Sequence, residues 1–143
     1  MGASRYGIPL EVTREILRAT SMASLPRAPE IIEGILDMRG TTVPVLDIRS
    51  RFRLVPKPLH PSDQFVIALA GQRTVALRVD QVAGIESVEA EDIEDAKAIV
   101  PRAEYVAGVA RLSSGLVLLH DLGTFLSEAE AEQFDAAVTD DPA

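Results

Sequence analysis

Few side chains in this sequence could carry out chemistry. Among its 143 residues there is no cysteine, and there are two histidines, His60 and His120. Nucleophilic catalysis needs an activated nucleophile with a base in hydrogen-bond reach. His120 closes the apolar run Leu116-Val117-Leu118-Leu119 and stands beside Asp121, so a small hydrolase built on His120 and Asp121 is the enzymatic reading. A bare His-Asp pair is more often structural. His60 lies between Leu59 and Pro61 in a proline-rich connector and is expected to be exposed. Gly71 and Gly84 stand alone, without the clustered glycines of a phosphate cradle. His, Asp and Glu do not recur at metal-ligand spacing. The expectation is no catalytic residue, no cofactor and no metal. Asp47 and Asp121, at strand ends, read as side chains that cap backbone turns.

Arg39 is a candidate for contact rather than catalysis. A guanidinium at a hairpin tip makes directed, multi-donor contacts that a lysine cannot. The structural alternative is an intramolecular ion pair with Glu33 or Asp37. Arg39 is positioned by the stretch Gly34 to Phe52, which reads as strand, tight turn, strand and short helical turn. Arg39-Gly40 is the turn signal, because glycine takes positive φ without a Cβ clash. Val43 to Ile48 is apolar and β-branched around Pro44. Proline gives up a ladder donor, so that strand should lie at an edge or be broken there.

The rest of the chain supplies the supporting elements. Arg5 to Leu10 reads as a strand. Glu11 to Thr20 has helical spacing in Val12, Ile16 and Ala19, but Val12, Thr13 and Ile16 are β-branched. Leu25 to Pro29 is a proline-punctuated loop, and Pro29 to Glu33 reads as one helical turn. Leu54 to Asp63 holds Pro56, Pro58 and Pro61 and is the one internal connector. Gln64 to Ala70 and Arg73 to Asp80 alternate as strands, with Gly71-Gln72 as their hairpin turn. Gln81 to Val88 reads as a third strand and Glu89 to Lys97 as a loop or helical turn. Tyr105 to Leu112 and Leu116 to Asp121 form another hairpin around Ser113-Ser114-Gly115. Ser127 to Val138 is a helix opened by a capping box, Ser127 with Glu130. Its acidic residues have no basic sequence neighbours, so its end is expected to fray.

Composition sets the bounds. A chain of this length buries roughly 68–70% of its unfolded surface, and 47% hydrophobic content with 4% aromatic makes the core aliphatic. No apolar run approaches the roughly 20 residues of a membrane span, and the first residues have no signal-peptide core. Absence of cysteine suits a cytosolic protein. The net charge of −8 is uneven, with residues 1–58 at +3 and residues 59–143 at −11. Such a balance disfavours nucleic acid. It leaves the N-terminal half able to meet an acidic partner.

An internal repeat underlies the pattern. Gly34 to Asp47 and Gly108 to Asp121 have the same spacing, and Val43, Asp47, Ile48 and Phe52 fall on Val117, Asp121, Leu122 and Leu126. Upstream, Tyr6, Ile8, Leu10, Thr13 and Ile16 match Val75, Leu77, Val79, Val82 and Ile85. Two small β units are built alike.

The stretch from Gly34 to Phe52 resembles the signature of the CheW family, the adaptor that joins bacterial chemoreceptors to the histidine kinase CheA. The family pattern is a Gly-hydrophobic pair, Asn-Leu-Arg-Gly, Val-Pro-Val-hydrophobic-Asp-Leu-Arg, and Phe. Here Asp37 replaces Asn, and Met38 and Ile48 replace Leu. Other elements follow in family order: Tyr6-Gly7-Ile8-Pro9-Leu10, Glu15-Ile16-Leu17, Leu25-Pro26-Arg27-Ala28-Pro29, Ile32-Glu33-Gly34, Val79-Asp80, Tyr105 to Val109, and Leu116 to Leu122. The match covers roughly residues 5 to 126.

The resemblance implies a mainly β fold of two packed SH3-like barrels, with short helical turns and a C-terminal helix. Residues 1–126 would form one such domain, with the connector near 54–63, and 127–143 an acidic tail. It implies an extended segment around Thr13 to Leu17. It also implies a non-enzymatic, cytoplasmic adaptor with two partners, a chemoreceptor's cytoplasmic tip and the regulatory domain of a CheA-type kinase. Nucleic acid and direct membrane insertion are not expected. Contact candidates are Glu15, Ile16, Arg39, Gly40, Val43 and Pro44. The alternative within the family is a degenerate or fragmentary interaction module. The family also has a strand ahead of the segment at Tyr6, and only Met1 to Ser4 stand there. The first barrel is therefore expected to be open and to recruit a strand by self-association, unless the natural product starts upstream.

Overall fold

The computed structural model describes residues 5–51, 58–95 and 105–140. Strands β3 (Ile32–Met38) and β4 (Thr41–Leu46) form the hairpin around Arg39-Gly40. Both turn residues have positive φ, 57° for Arg39 and 86° for Gly40. Two successive positive φ values mark a type I′ turn, whose twist matches that of the strands. Asp37 Oδ1 accepts the Gly40 N–H at 3.0 Å and steadies it. Pro44 sits opposite Ile35 in β3. On the other side, β4 pairs in parallel with β6 (Arg73–Val79) only from Val45, opposite Ala76. The expected break is there: the proline stands before the second ladder begins, where an N–H is not needed.

β5 (Gln64–Ala70) pairs with β6 across Gly71-Gln72, and β2 (Thr13–Arg18) pairs with β5. The extended reading of Thr13 to Leu17 is correct, and the helix that spacing alone allows is absent. The five strands run β2-β5-β6-β4-β3. Ala23, just beyond β2, exchanges backbone bonds of 2.9 and 3.0 Å with Ile35, so the sheet curls until its edges meet. Gly34 lies beneath this crossing, where a Cβ would come within 2.8 Å of the Ala23 carbonyl oxygen.

The second sheet runs β1-β9-β8-β7, from β1 (Tyr6–Gly7), β7 (Ile93–Asp95), β8 (Val106–Leu112) and β9 (Gly115–His120). The strand expected over Arg5 to Leu10 is cut to two residues, because Pro9 and a 3₁₀ turn at Leu10–Val12 end it. No strand forms over Gln81 to Val88 among the described residues. Instead a 3₁₀ turn at Ala90–Asp92 leads into β7, within the stretch expected to be a loop or helical turn. The turn expected over Pro29 to Glu33 reduces to one bond, Ile32 N–H to the Pro29 carbonyl at 3.0 Å, and β3 begins at Ile32.

The repeat is visible in the registers. Both hairpins carry a bulge at matching places, Ile32/Gly34 and Val106/Gly108, and close on Met38–Thr41 and Leu112–Gly115. The Asp47 N–H bonds the Ile31 carbonyl at 2.7 Å, and the Asp121 N–H bonds the Tyr105 carbonyl at 2.8 Å. One part of the expected match fails: Thr13 and Ile16 do not correspond to Val82 and Ile85. Like β2, β7 directly follows a 3₁₀ turn. The halves also exchange strands. β1 precedes the first half but pairs in parallel with β9, and β6 pairs in parallel with β4. Among the described residues β1 is the edge strand of the second sheet.

β4 and β5 are buried on both faces. Val43, Val45, Phe65 and Ile67 pack inside the curled sheet, and Leu46, Val66 and Ala68 pack between the sheets. Helix α1 (Ile48–Arg51) begins where Asp47 Oδ1 accepts the Arg49 N–H at 3.1 Å. Helix α2 (Glu128–Asp140) opens with the expected capping box, Glu130 N–H to Ser127 Oγ at 3.1 Å and Ser127 N–H to Glu130 Oε1 at 2.9 Å. Phe134 and Ala137 insert it into the inter-sheet core. Arg73, distant in sequence, pairs with its Asp135 at 3.0 Å. Residues 54–57 of the connector and the last residues of the tail lie outside the described residues.

The end of the connector is held by a buried ionic cluster. Arg78 in β6 reaches Asp63 Oδ2 at 3.1 Å, Glu33 Oε1 at 2.8 Å and the Pro58 carbonyl at 3.3 Å. Arg78 is 7% exposed and Asp63 1%. Burial raises the Glu33 carboxyl above its ordinary range, outweighing the pull of Arg78 beside it. Arg78→Met would leave two carboxylates without their cation. It is expected to lower unfolding free energy by about 3–5 kcal/mol, measured as a fall in the urea midpoint.

Candidate interaction surface

Along β1, between the two sheets, a groove of about 370 Å³ opens to solvent. Its floor combines Val66 and Leu77 of the curled sheet with Ala110 and Leu119 of the other. Three large aliphatics on its walls are solvent-facing: Leu10 at 60%, Ile16 at 46% and Ile85 at 76% exposure. Exposed aliphatics grouped in a concave surface mark a contact site.

The period of a strand sorts the β2 candidates. Arg14, Ile16 and Arg18 are exposed, while Thr13, Glu15 and Leu17 are half-buried. Ile16 is therefore in the groove, and Glu15, next to it, is turned to the opposite face. Arg39 and Gly40 are exposed at their hairpin tip. The ion pair considered for Arg39 is not made among the described residues: Asp37 is bonded to the Gly40 N–H, and Glu33 to Arg78. Met38, beside it, helps line a second, shallow hollow of about 320 Å³ with Leu17 and Thr20. Val43, at 1% exposure, and Pro44, below 2%, are buried. They support the hairpin from within and present little surface to a partner in this structure. The candidates thus fall on two features, the groove and the tip. Leu10 and Ile85 stand outside the expected contacts, because the strand expected over Arg5 to Leu10 ends before Leu10 and the strand expected over Gln81 to Val88 does not form among the described residues.

The imidazole candidates are otherwise engaged. His120 is 4% exposed, stacked on Tyr6 at 4.7 Å and edge-on to Phe125 at 4.9 Å. It borders the groove, whose described lining contains no serine. Asp121 is exposed. His60 is exposed as expected, and its Nδ1 is 2.7 Å from Ser62 Oγ within a local turn. The Asp63 carboxylate is directed to Arg78 and to the His60 backbone N–H, so it does not orient that ring. Among the described residues no group of His, Cys, Asp and Glu could hold a metal ion. No described helix is long and apolar enough to cross a membrane.

A curled sheet packed on a second sheet, an aliphatic groove and a solvent-facing arginine define a protein-interaction module. The chain belongs to the CheW-like domain family, which it matches over residues 1–130. It is a CheW-like adaptor of chemotaxis signalling. It is 28% identical to the chemotaxis protein CheW of Klebsiella aerogenes over 137 residues, covering 94% of this chain and 82% of that one. It is 26% identical over 139 residues to CheW of Treponema pallidum, covering 93% and 82%. FrzA of Myxococcus xanthus is 30% identical over 93 residues, 65% of this chain and 58% of FrzA. The crystal structure of the scaffolding protein TtCheW from Thermoanaerobacter tengcongensis has the same fold, with a TM-score of 0.78 at 23% identity, covering 88% of this chain and 92% of that one.

Burial lowers the His120 pKa to about 4, against about 6.5 in an unfolded chain. Between those values the unfolded state takes up a proton that the native state does not, so stability is lost as pH falls through the window. Acidification from pH 7 to 4 is expected to cost about 3 kcal/mol through this group. Urea melts of His120→Gln at both pH values should show that part of the loss removed.

Proposed function

We propose that the protein couples the helical hairpin tip of a chemoreceptor to the regulatory domain of a CheA-type histidine kinase. It does so by contact rather than catalysis, in the cytoplasm beneath membrane receptor arrays. Residues 1–126 act as one adaptor unit, with the acidic helix appended. The observation that carries this reading is the open aliphatic groove with Ile16 on its wall, in a chain of this family. An amphipathic helix presents an apolar stripe that such a groove can cover. Ile16 and Leu10 supply apolar anchors for the receptor tip, and Arg39 a directed polar contact away from them. Glu15 and Gly40 flank these contacts.

The purified protein is expected to bind both a CheA regulatory domain and a receptor cytoplasmic tip from the same genome, measured by co-purification and calorimetry. Absence of binding to either at high micromolar concentration overturns the reading. Ile16→Ser and Arg39→Ala should each weaken receptor binding by about 1–3 kcal/mol while leaving the thermal midpoint in place. An Arg39→Ala variant that unfolds would make that residue structural.

A further inference from the structure

One wall of the groove is made by a segment that belongs to neither sheet. Residues 81–88, shortly after β6, lie in no helix or strand. Among the described residues their backbone groups make no bond to another backbone group. Val82 to Glu86 line the groove, and Ile85 among them is 76% exposed. Gly84, at φ 145°, adds freedom in the middle of the segment. Left loose, such a wall would cost ordering entropy each time a partner bound. Two side chains hold it. The Val82 N–H donates to Gln64 Oε1 at 2.7 Å, a part-buried bond from the start of β5. Glu86 Oε1 accepts from Arg5 at 3.3 Å, and Arg5 also donates to Ser114 Oγ at 2.6 Å in the turn between β8 and β9. One pin therefore stands on each sheet, and Ile85 lies between the two pinned residues.

We propose that Gln64 is a positioning residue for the groove: its side-chain carbonyl fixes the 81–88 segment and so presents Ile85 as a third aliphatic anchor to the partner helix, in addition to Leu10 and Ile16. The two pins are unequal. The Arg5–Glu86 pair is exposed on both sides and screened by water, so it holds the segment weakly. The Gln64 bond is partly shielded, and Val82 beyond it packs against the inter-sheet core. An N–H bonds only to an acceptor, so position 64 must supply an oxygen rather than bulk. Gln64 itself is not among the described residues lining the groove. It acts on the partner through Ile85. The inference rests on the receptor-tip reading of the groove and adds to it the residue that sets one wall.

The test is calorimetric binding of a chemoreceptor cytoplasmic tip from the same genome to the full chain. Ile85→Ser is expected to weaken binding about tenfold. Gln64→Met keeps the side chain's length and loses its acceptor. It is expected to weaken binding about fivefold, to quicken amide exchange at Val82, and to leave the thermal midpoint in place. Gln64→Glu, which keeps an acceptor oxygen, should restore both binding and exchange. In an Ile85→Ser background Gln64→Met should cost nothing further, because the residue acts through Ile85. Arg5→Met frees the other pin and should show a smaller loss that vanishes in the same background. Binding unmoved by Gln64→Met, or a loss of the same size in the Ile85→Ser chain, overturns the proposal. So does a fall in thermal midpoint that Gln64→Glu fails to reverse, since Gln64 would then be structural. An unmodified chain that binds no tip sinks the receptor reading and this one with it, whereas a chain that binds the tip but ignores Gln64→Met sinks this one alone.

Discussion

Two parallel pairings of two residues each tie the halves of the molecule together. Val45-Leu46 meets Ala76-Leu77, and Tyr6-Gly7 meets Leu118-Leu119. The first half lends β1 to the second sheet and the second half lends β5 and β6 to the first, so neither sheet is complete from its own half of the sequence. The first pairing brings β5 and β6 beside β4, which lets the sheet curl and bury Val43, Val45, Phe65 and Ile67. The opposite faces of the same strands then supply Leu46, Val66 and Leu77 to the inter-sheet core. The groove exists because these faces continue past the point where the second sheet ends.

Much of the local structure was legible because single residues decide it. Arg39-Gly40, the Asp47 cap, the Ser127–Glu130 box and the break at Pro44 are set by interactions within a few positions. The repeat announced the matching hairpins, down to glycines that each lie under a crossing segment. At Gly108 a Cβ would come within 2.9 Å of the Glu94 carbonyl oxygen. What local pattern could not carry was partnership. Val82 and Ile85 have the spacing of a strand, but a strand needs a neighbour, and that stretch finds none among the described residues. Tyr6 to Leu10 matches β6 in pattern, yet Pro9 and the pairing with β9 decide its length and its sheet. Val43 and Pro44 belong to a motif that reads as a surface, but the folded sheet buries both, Val43 against Phe65 and Ile67 inside its curl. Of the contact candidates, only Ile16, Arg39 and Gly40 are exposed, because exposure depends on which strand lies alongside.

Charge and apolarity are separated on this protein. The chain is at −8 overall, but its groove is lined by aliphatics and a self-neutralising pair. Among the described residues buried charge is confined to the Arg78 cluster and to Arg49, whose guanidinium donates to both Asp80 carboxylate oxygens at 2.7 and 2.8 Å. That pair fixes the short helix α1 to the end of β6. The acidic helix α2 lies across the core with Arg73 over the Phe134 ring at 5.4 Å. Long-range charge then governs approach of partners, and the groove governs contact.

The exchange of strands also sets an order of events during synthesis. Among the described strands β1 is made first and its partner β9 last. β4 must likewise wait for β6. Contacts so distant along the chain close slowly, and segments that wait expose apolar surface. The shortness of β1 and the proline at position 9 limit what Tyr6 and Ile8 can pair with in the interval. Folding of both sheets thus becomes one late, shared step, in which the earliest-made strand is the last to find its place.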